Sequence, residues 1–124
     1  MNKLDDLAQF TGTSKYYRTD FYPFLFTDGI KYIAENGEAF WLLDAIASWQ
    51  EEPIIKNDTD LNRIQFWRLT VFPDRSAVLD CERDLDDVVI SQPIPYTDFP
   101  LDQIMVFLCD MGTPYGVLIL PSEY

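Results

Sequence analysis

The hydrophobic pattern of this chain changes period once, near Arg63, and that change limits the folds open to it. Before it, apolar residues recur at helical spacing. Leu4, Leu7, Ala8 and Phe10 make a short amphipathic helix over 4–10, stopped by Thr11-Gly12. Thr27-Asp28 is an N-cap for a helix over 29–35, and Asn36-Gly37 is its stop. A second helix over 38–50 carries Phe40, Trp41, Leu42, Leu43, Ile46 and Trp49 around most of its circumference, so it is expected to be largely buried. The polar segment 51–62, with Pro53 inside it, reads as loop.

After Arg63 the pattern alternates. Residues 63–72 are rich in β-branched and aromatic side chains, 73–76 form a turn, and 77–82 return as a hairpin partner. A short strand over 88–91 follows, then a Pro-rich connection over 93–100. A second hairpin, 103–110 with 115–120, closes around Met111-Gly112-Thr113-Pro114. Helices first and strands afterwards predict an α+β fold, with N-terminal helices packed on one face of an antiparallel sheet of about four to five strands. At 124 residues, with no repeat or linker, the chain reads as one domain spanning 1–124.

The content of the chain excludes more than it assigns. It has no histidine, which removes Ser-His and Cys-His nucleophilic catalysis, histidine-ligated zinc and histidine general-base chemistry. A 48% apolar and 15% aromatic composition supports a packed core despite a net charge of −12. No secretory signal and no membrane-length apolar run is found, so a cytoplasmic location is expected. Cys81 and Cys109, far apart and within strand patterns, read as buried free thiols. No cofactor motif is found: Gly12-Thr13-Ser14-Lys15 lacks the order and the first glycine of a phosphate loop. Asp58-x-Asp60-x-Asn62 matches the start of a calcium loop, but Arg63 and Leu69 stand where its glycine and glutamate belong.

The charge is unevenly spread. All nine basic residues lie at or before Arg83, where the net charge is −5; the rest of the chain carries −7 and no cation. Such a field repels nucleic acid and anionic membrane and favours a basic protein surface. Asp80, Glu82, Asp84 and Asp86, with Asp87 beside them, fall at i, i+2 spacing. On one continuous strand they would project from one face, and Leu79, Cys81 and Leu85 from the other. The plainest account of such a row is a solvated edge strand whose charge discourages aggregation. The sharper account is a carboxylate ladder that imitates duplex phosphates for a nucleic-acid-binding protein. A separate surface is offered by the aromatic stretch 16–26, where Tyr16, Tyr17 and Arg18, together with Trp67, would serve as stacking and charge anchors for a small molecule or nucleotide. Phe66 and Trp67 cannot both face inward on one strand.

Several stretches together resemble a family of small bacterial and mobile-element proteins known only as a domain of unknown function. They are Thr27-Asp28-Gly29-Ile30-Lys31-Tyr32, Phe40-Trp41-Leu42-Leu43-Asp44-Ala45-Ile46-Ala47-Ser48, Gln65-Phe66-Trp67-Arg68-Leu69-Thr70-Val71 and the terminal Leu120-Pro121-Ser122-Glu123-Tyr124. The resemblance spans nearly the whole chain and supplies no activity, cofactor or catalytic residue. The expectation is a non-enzymatic, cytoplasmic, acidic interaction module. In its specific form it is a phage or plasmid accessory that occupies the basic groove of a nucleic-acid-binding protein through Asp80, Glu82, Asp84, Asp86 and Asp87. A ligand-binding protein using the aromatic and Arg18 surface, and a structural homodimer or larger homo-oligomer, are the alternatives.

Overall fold

A computed structural model describes residues 16–84, 86–113 and 115–124. In chain order they form β1 (Tyr16–Tyr17), β2 (Phe24–Thr27), α1 (Asp28–Asn36), α2 (Phe40–Trp49), a single helical turn α3 (Pro53–Lys56), β3 (Ile64–Val71), β4 (Ala77–Glu82), β5 (Val88–Ile94), β6 (Gln103–Cys109), β7 (Gly116–Ile119) and a 3-10 turn, Pro121–Glu123. The helix expected over 4–10 lies outside the described residues.

The α+β class holds, and both expected hairpin pairings, β3 with β4 and β6 with β7, are present. The sheet differs from expectation in size and in sense. It has seven strands in the order β1-β2-β7-β6-β3-β4-β5, and β2 runs parallel to β7. The extra strands come from the aromatic stretch. β2 is flanked by strands on both sides, and Phe24, Phe26 and Thr27 are all buried. A strand enclosed in this way loses the polar-apolar alternation by which strands are read. The turn α3 was also hidden: Pro53 occupies its first position, where a missing N–H costs nothing, and Ile55 is buried beneath it.

Alternation along β3 is strict. Gln65, Trp67, Leu69 and Val71 are buried, while Ile64, Phe66, Arg68 and Thr70 are half-buried. The first phase joins Leu79 and Cys81 of β4, Val106 and Leu108 of β6, Ile30 and Ile33 of α1, and Leu42, Leu43 and Ile46 of α2 in one core. The opposite phase carries a smaller cluster of Cys109, Val117 and Ile119, flanked by Leu25, Ile64 and Phe107. Phe107 meets the rings of Phe66 and Tyr124 edge-on, with centroids 4.9 and 5.8 Å away.

The end of the chain clasps the start of α1. Thr27 caps the helix by accepting a hydrogen bond from the Ile30 amide. The Glu123 carboxylate, only 6% exposed, accepts bonds from the Thr27 hydroxyl (2.6 Å), the Leu120 amide (2.9 Å) and the Gly29 amide (3.3 Å). These contacts place it beside the first turn of the helix. Gly29 has no room for a side chain: a Cβ there would lie 2.6 Å from Leu120 Cδ1 and 2.8 Å from Glu123 Oε1. Replacing Glu123 with alanine strands three buried donors, so Glu123→Ala is expected to cost about 2–3 kcal/mol. Urea denaturation checks this; an unchanged midpoint would show that the clasp contributes nothing.

Candidate functional site

The acidic row does not form a ladder. β4 ends at Glu82 after a register shift between Cys81 and Glu82, and the chain then turns. Asp86 has a positive φ of 65°, the Asp87 amide bonds to the Asp84 carbonyl, and the Arg83 amide bonds to the Asp87 carbonyl. Glu82 is 2% exposed, paired opposite Phe66 in the phase that carries Arg68 rather than in the core phase of Trp67 and Cys81. Its Oε2 accepts from Arg68 Nε at 2.8 Å, and its Oε1 accepts from the Asp86 amide at 2.9 Å. Burial works to raise the Glu82 carboxyl, but the Arg68 hydrogen bond, the Asp86 amide and the Arg68 charge together hold it below the usual carboxylate range. Asp80 is half-buried and faces Arg68 across the strands. Arg83 bonds Asp58 at 2.7 Å and Asp87 at 3.0 Å. Two arginines thus stand among five acids, and Leu85 lies outside the described residues.

The same contacts dispose of the calcium-loop pattern. Asp58 Oδ1 accepts from the amides of Asp60 and Leu61, its Oδ2 holds Arg83, and the Asn62 amide donates to the carbonyls of Lys56 and Asp58. The Arg83 bond, foremost among these, holds the Asp58 carboxyl below its ordinary value. Among the described residues no group of three or more potential ligands is placed to hold a metal ion.

The proposed aromatic anchors are scattered. Trp67 is fully buried and belongs to the core, with its indole N–H donated to Gln65 Oε1 at 2.8 Å. Tyr17 stacks on Phe26 at 5.7 Å with the Lys31 ammonium over its ring. Tyr16 is exposed. Arg18 lies over the ring of Tyr115, 4.4 Å from its centroid, and donates to the Tyr115 hydroxyl at 3.1 Å. Burial pushes the Cys81 thiol up to about 12 and the Cys109 thiol to about 11, so neither is a nucleophile near neutrality.

Two adjoining concavities attract attention instead, and they share Pro23 as a wall. The first is an open groove of about 590 Å³ between residues 20–23 and the outer side of α2. Tyr22 is locked inward: its ring stacks on Phe24 at 5.4 Å and its hydroxyl donates to Asp44 at 2.9 Å. Burial, then the Asp44 bond, raise that phenol to about 12. Because Tyr22 points in, Phe21 points out, 84% exposed, with its amide bonded to Thr19 Oγ1. Asp20, Asp44 and Glu51 line the groove around it.

The second is a cavity of about 240 Å³ at one end of the sheet. Its floor is an amide pair that sequence reasoning did not single out. Gln50 and Gln65 exchange reciprocal hydrogen bonds of 2.9 Å; Gln65 also donates to the Leu61 carbonyl, and Gln50 to the Ile46 carbonyl. The signal for it was a glutamine standing in the buried phase of β3.

A family model matches residues 1–124. The chain belongs to the DUF6876 family, a family of unknown function. No curated protein and no solved structure matches it. Among the described residues no helix is long and apolar enough to cross a membrane.

Proposed function

We propose that this chain is an acidic protein-interaction module whose partner presents a basic surface, and that docking centres on the Phe21 groove. The observation that carries this reading is an 84% exposed phenylalanine set among Asp20, Asp44 and Glu51. A large apolar ring left in water is unfavourable unless something covers it, and rings at the centre of an interface are typical anchors. Carboxylates around an aromatic face suit arginine or lysine, which gain from the ring and from the charges together. In this reading α1 and α2 cover one face of the sheet, and the outer side of α2 is one wall of the groove. The exposed loop acids Asp84, Asp86 and Asp87 add to long-range attraction but form no row spaced like phosphates.

The test uses a defined probe, a peptide of alternating lysine and arginine, measured by calorimetry at low and at high salt. Binding should weaken steeply with salt, since exposed charges are screened over about 10 Å at 0.1 M. Phe21→Ser should weaken it about tenfold, the loss expected of one anchoring ring. Equal affinity for wild type and Phe21→Ser would remove the groove from consideration.

A further inference from the structure

The cavity beside the groove has an unusual balance of side-chain hydrogen-bonding capacity: its amide and threonine hydroxyl donors are consumed internally and several of its acceptors are not. The orientation of the amides is fixed by their partners. An indole N–H can only donate, so Gln65 presents oxygen to Trp67; the carbonyls of Leu61 and Ile46 can only accept, so nitrogens face them. Both N–H groups of Gln65 are therefore spent, on Gln50 and Leu61, and both of Gln50, on Gln65 and Ile46. The Asn62 amide nitrogen is committed to the carbonyls of Lys56 and Asp58. The Thr113 hydroxyl donates to the Tyr115 carbonyl.

What is left over accepts. Gln50 Oε1 takes one bond and has a second lone pair. Among the described residues none donates to the Asn62 side-chain oxygen or to Thr113 Oγ1. Asp110 also lines the cavity; one of its oxygens accepts from the Gly112 amide at 3.0 Å, and no ion pair engages it among the described residues. Among the side-chain oxygens and nitrogens of the described lining residues, the donor left uncommitted is the phenol hydrogen of Tyr115, whose oxygen already accepts from Arg18.

We propose that this cavity binds a guanidinium group. A site whose side chains are rich in acceptors and poor in donors, with the exposed Asp110 carboxylate at its edge, favours a cation that donates and never accepts. Guanidinium fans five N–H donors in a plane, which suits acceptors spread over several residues better than the compact ammonium of lysine. Tyr115 already holds one guanidinium, that of Arg18, against its ring, so the chemistry exists at the cavity's edge. The cation arrives either on an arginine of a protein partner or on a free small molecule. Only the first source rests on the interaction reading above; the cavity's preference does not.

The experiment is an amide-resolved NMR titration with Nα-acetyl-arginine amide, and in parallel with its citrulline counterpart, a near-isostere in which an oxygen replaces one guanidinium nitrogen and the charge is lost. Saturable shifts at Gly112, Thr113 and Gly116 are expected with the arginine compound, with affinity about tenfold above that for citrulline. Asp110→Asn, which keeps the Gly112 bond and so the loop, should abolish that preference. Equal response to both compounds, no response, or an unchanged preference in Asp110→Asn overturns the proposal. The lysine-arginine peptide then identifies the source. Affinity well above that of arginine amide, with only the excess lost in Phe21→Ser, places the cation on a partner chain; no excess places it on a small molecule. Peptide binding that depends on Phe21 without any arginine-amide response overturns the cavity proposal and leaves the groove standing. The reverse pattern removes the groove and leaves the cavity.

Discussion

Arg68→Ala will lower the unfolding free energy by about 4 kcal/mol at neutral pH, because it leaves the Glu82 carboxylate buried without a counter-charge. Glu82 has a side chain 3% exposed, and among the described residues its one other hydrogen bond is from the Asp86 amide. Glu82→Ala should cost less, since Arg68 is 28% exposed and still faces Asp80 across the strands. The pair is not irreplaceable. Leucine at both positions should recover most of the loss, as buried ion pairs are often matched by apolar packing of similar volume. The sign of the pH dependence follows from the direction of the shift. The folded protein holds Glu82 below its ordinary value, so the unfolded chain binds more protons as the medium is acidified. The pair's contribution is therefore complete above the unfolded value of about 4.3 and disappears as pH falls through the folded one. In Arg68→Ala burial is opposed, among the described residues, by the Asp86 amide alone, so the Glu82 carboxyl should rise and mild acid should relieve part of the loss. Thermal melts of wild type and the three variants across acidic pH read all of this. Arg68→Ala melting with the wild type would show that Glu82 is not buried as a charge.

The acids of this region show where sequence reading fails. The i, i+2 spacing of Asp80, Glu82, Asp84 and Asp86 is that of a strand face, yet aspartate is also a turn former, and the turn wins once β4 ends. A residue count cannot tell a solvated carboxylate from one buried against Arg68. Other features were plain because several local signals agreed. Thr27 as cap and Gly37 as stop needed only the helix between them. The β3–β4 hairpin followed from the strict alternation of β3 and from a Pro-Asp turn. That turn places Arg75 at a φ of 71°, a conformation held by its guanidinium bonds to the carbonyls of Thr97 and Phe99. The groove was not legible. Composition shows a run of aromatics over 16–26, and only the packing of Tyr22 on Phe24 decides that Phe21 is the ring left outside. The amide pair was half legible, since Gln65 breaks an otherwise apolar phase, but its partner Gln50 is fifteen positions away on another element.

Trp67→Ala will cost about 3–5 kcal/mol, the usual range for emptying a fully buried aromatic site. Trp67 is 0% exposed, lies between Cys81 of β4 and Val106 of β6, and joins the core that α1 and α2 complete. With typical domain stabilities of about 5–15 kcal/mol, a loss of that size leaves a marginal protein. This outcome separates two roles for the same residue. A tryptophan that anchors a ligand can be removed with the fold intact and binding lost; one that fills the core takes the fold with it. Trp67→Phe refines the test. It keeps most of the volume and deletes the indole N–H, so Gln65 Oε1 retains Gln50 and loses its second donor. Its cost should be clearly smaller, about 1–2 kcal/mol from the lost hydrogen bond and the trimmed ring. Because that bond helps fix which way the Gln65 amide points, Trp67→Phe should also blur the cavity's preference for arginine over citrulline. Denaturation of the two variants, followed by the arginine-amide titration on Trp67→Phe, reads stability and the floor of the cavity separately. A stable Trp67→Ala would move this residue out of the core, and an undiminished arginine preference in Trp67→Phe would show that Gln50 and Leu61 orient the amide without it.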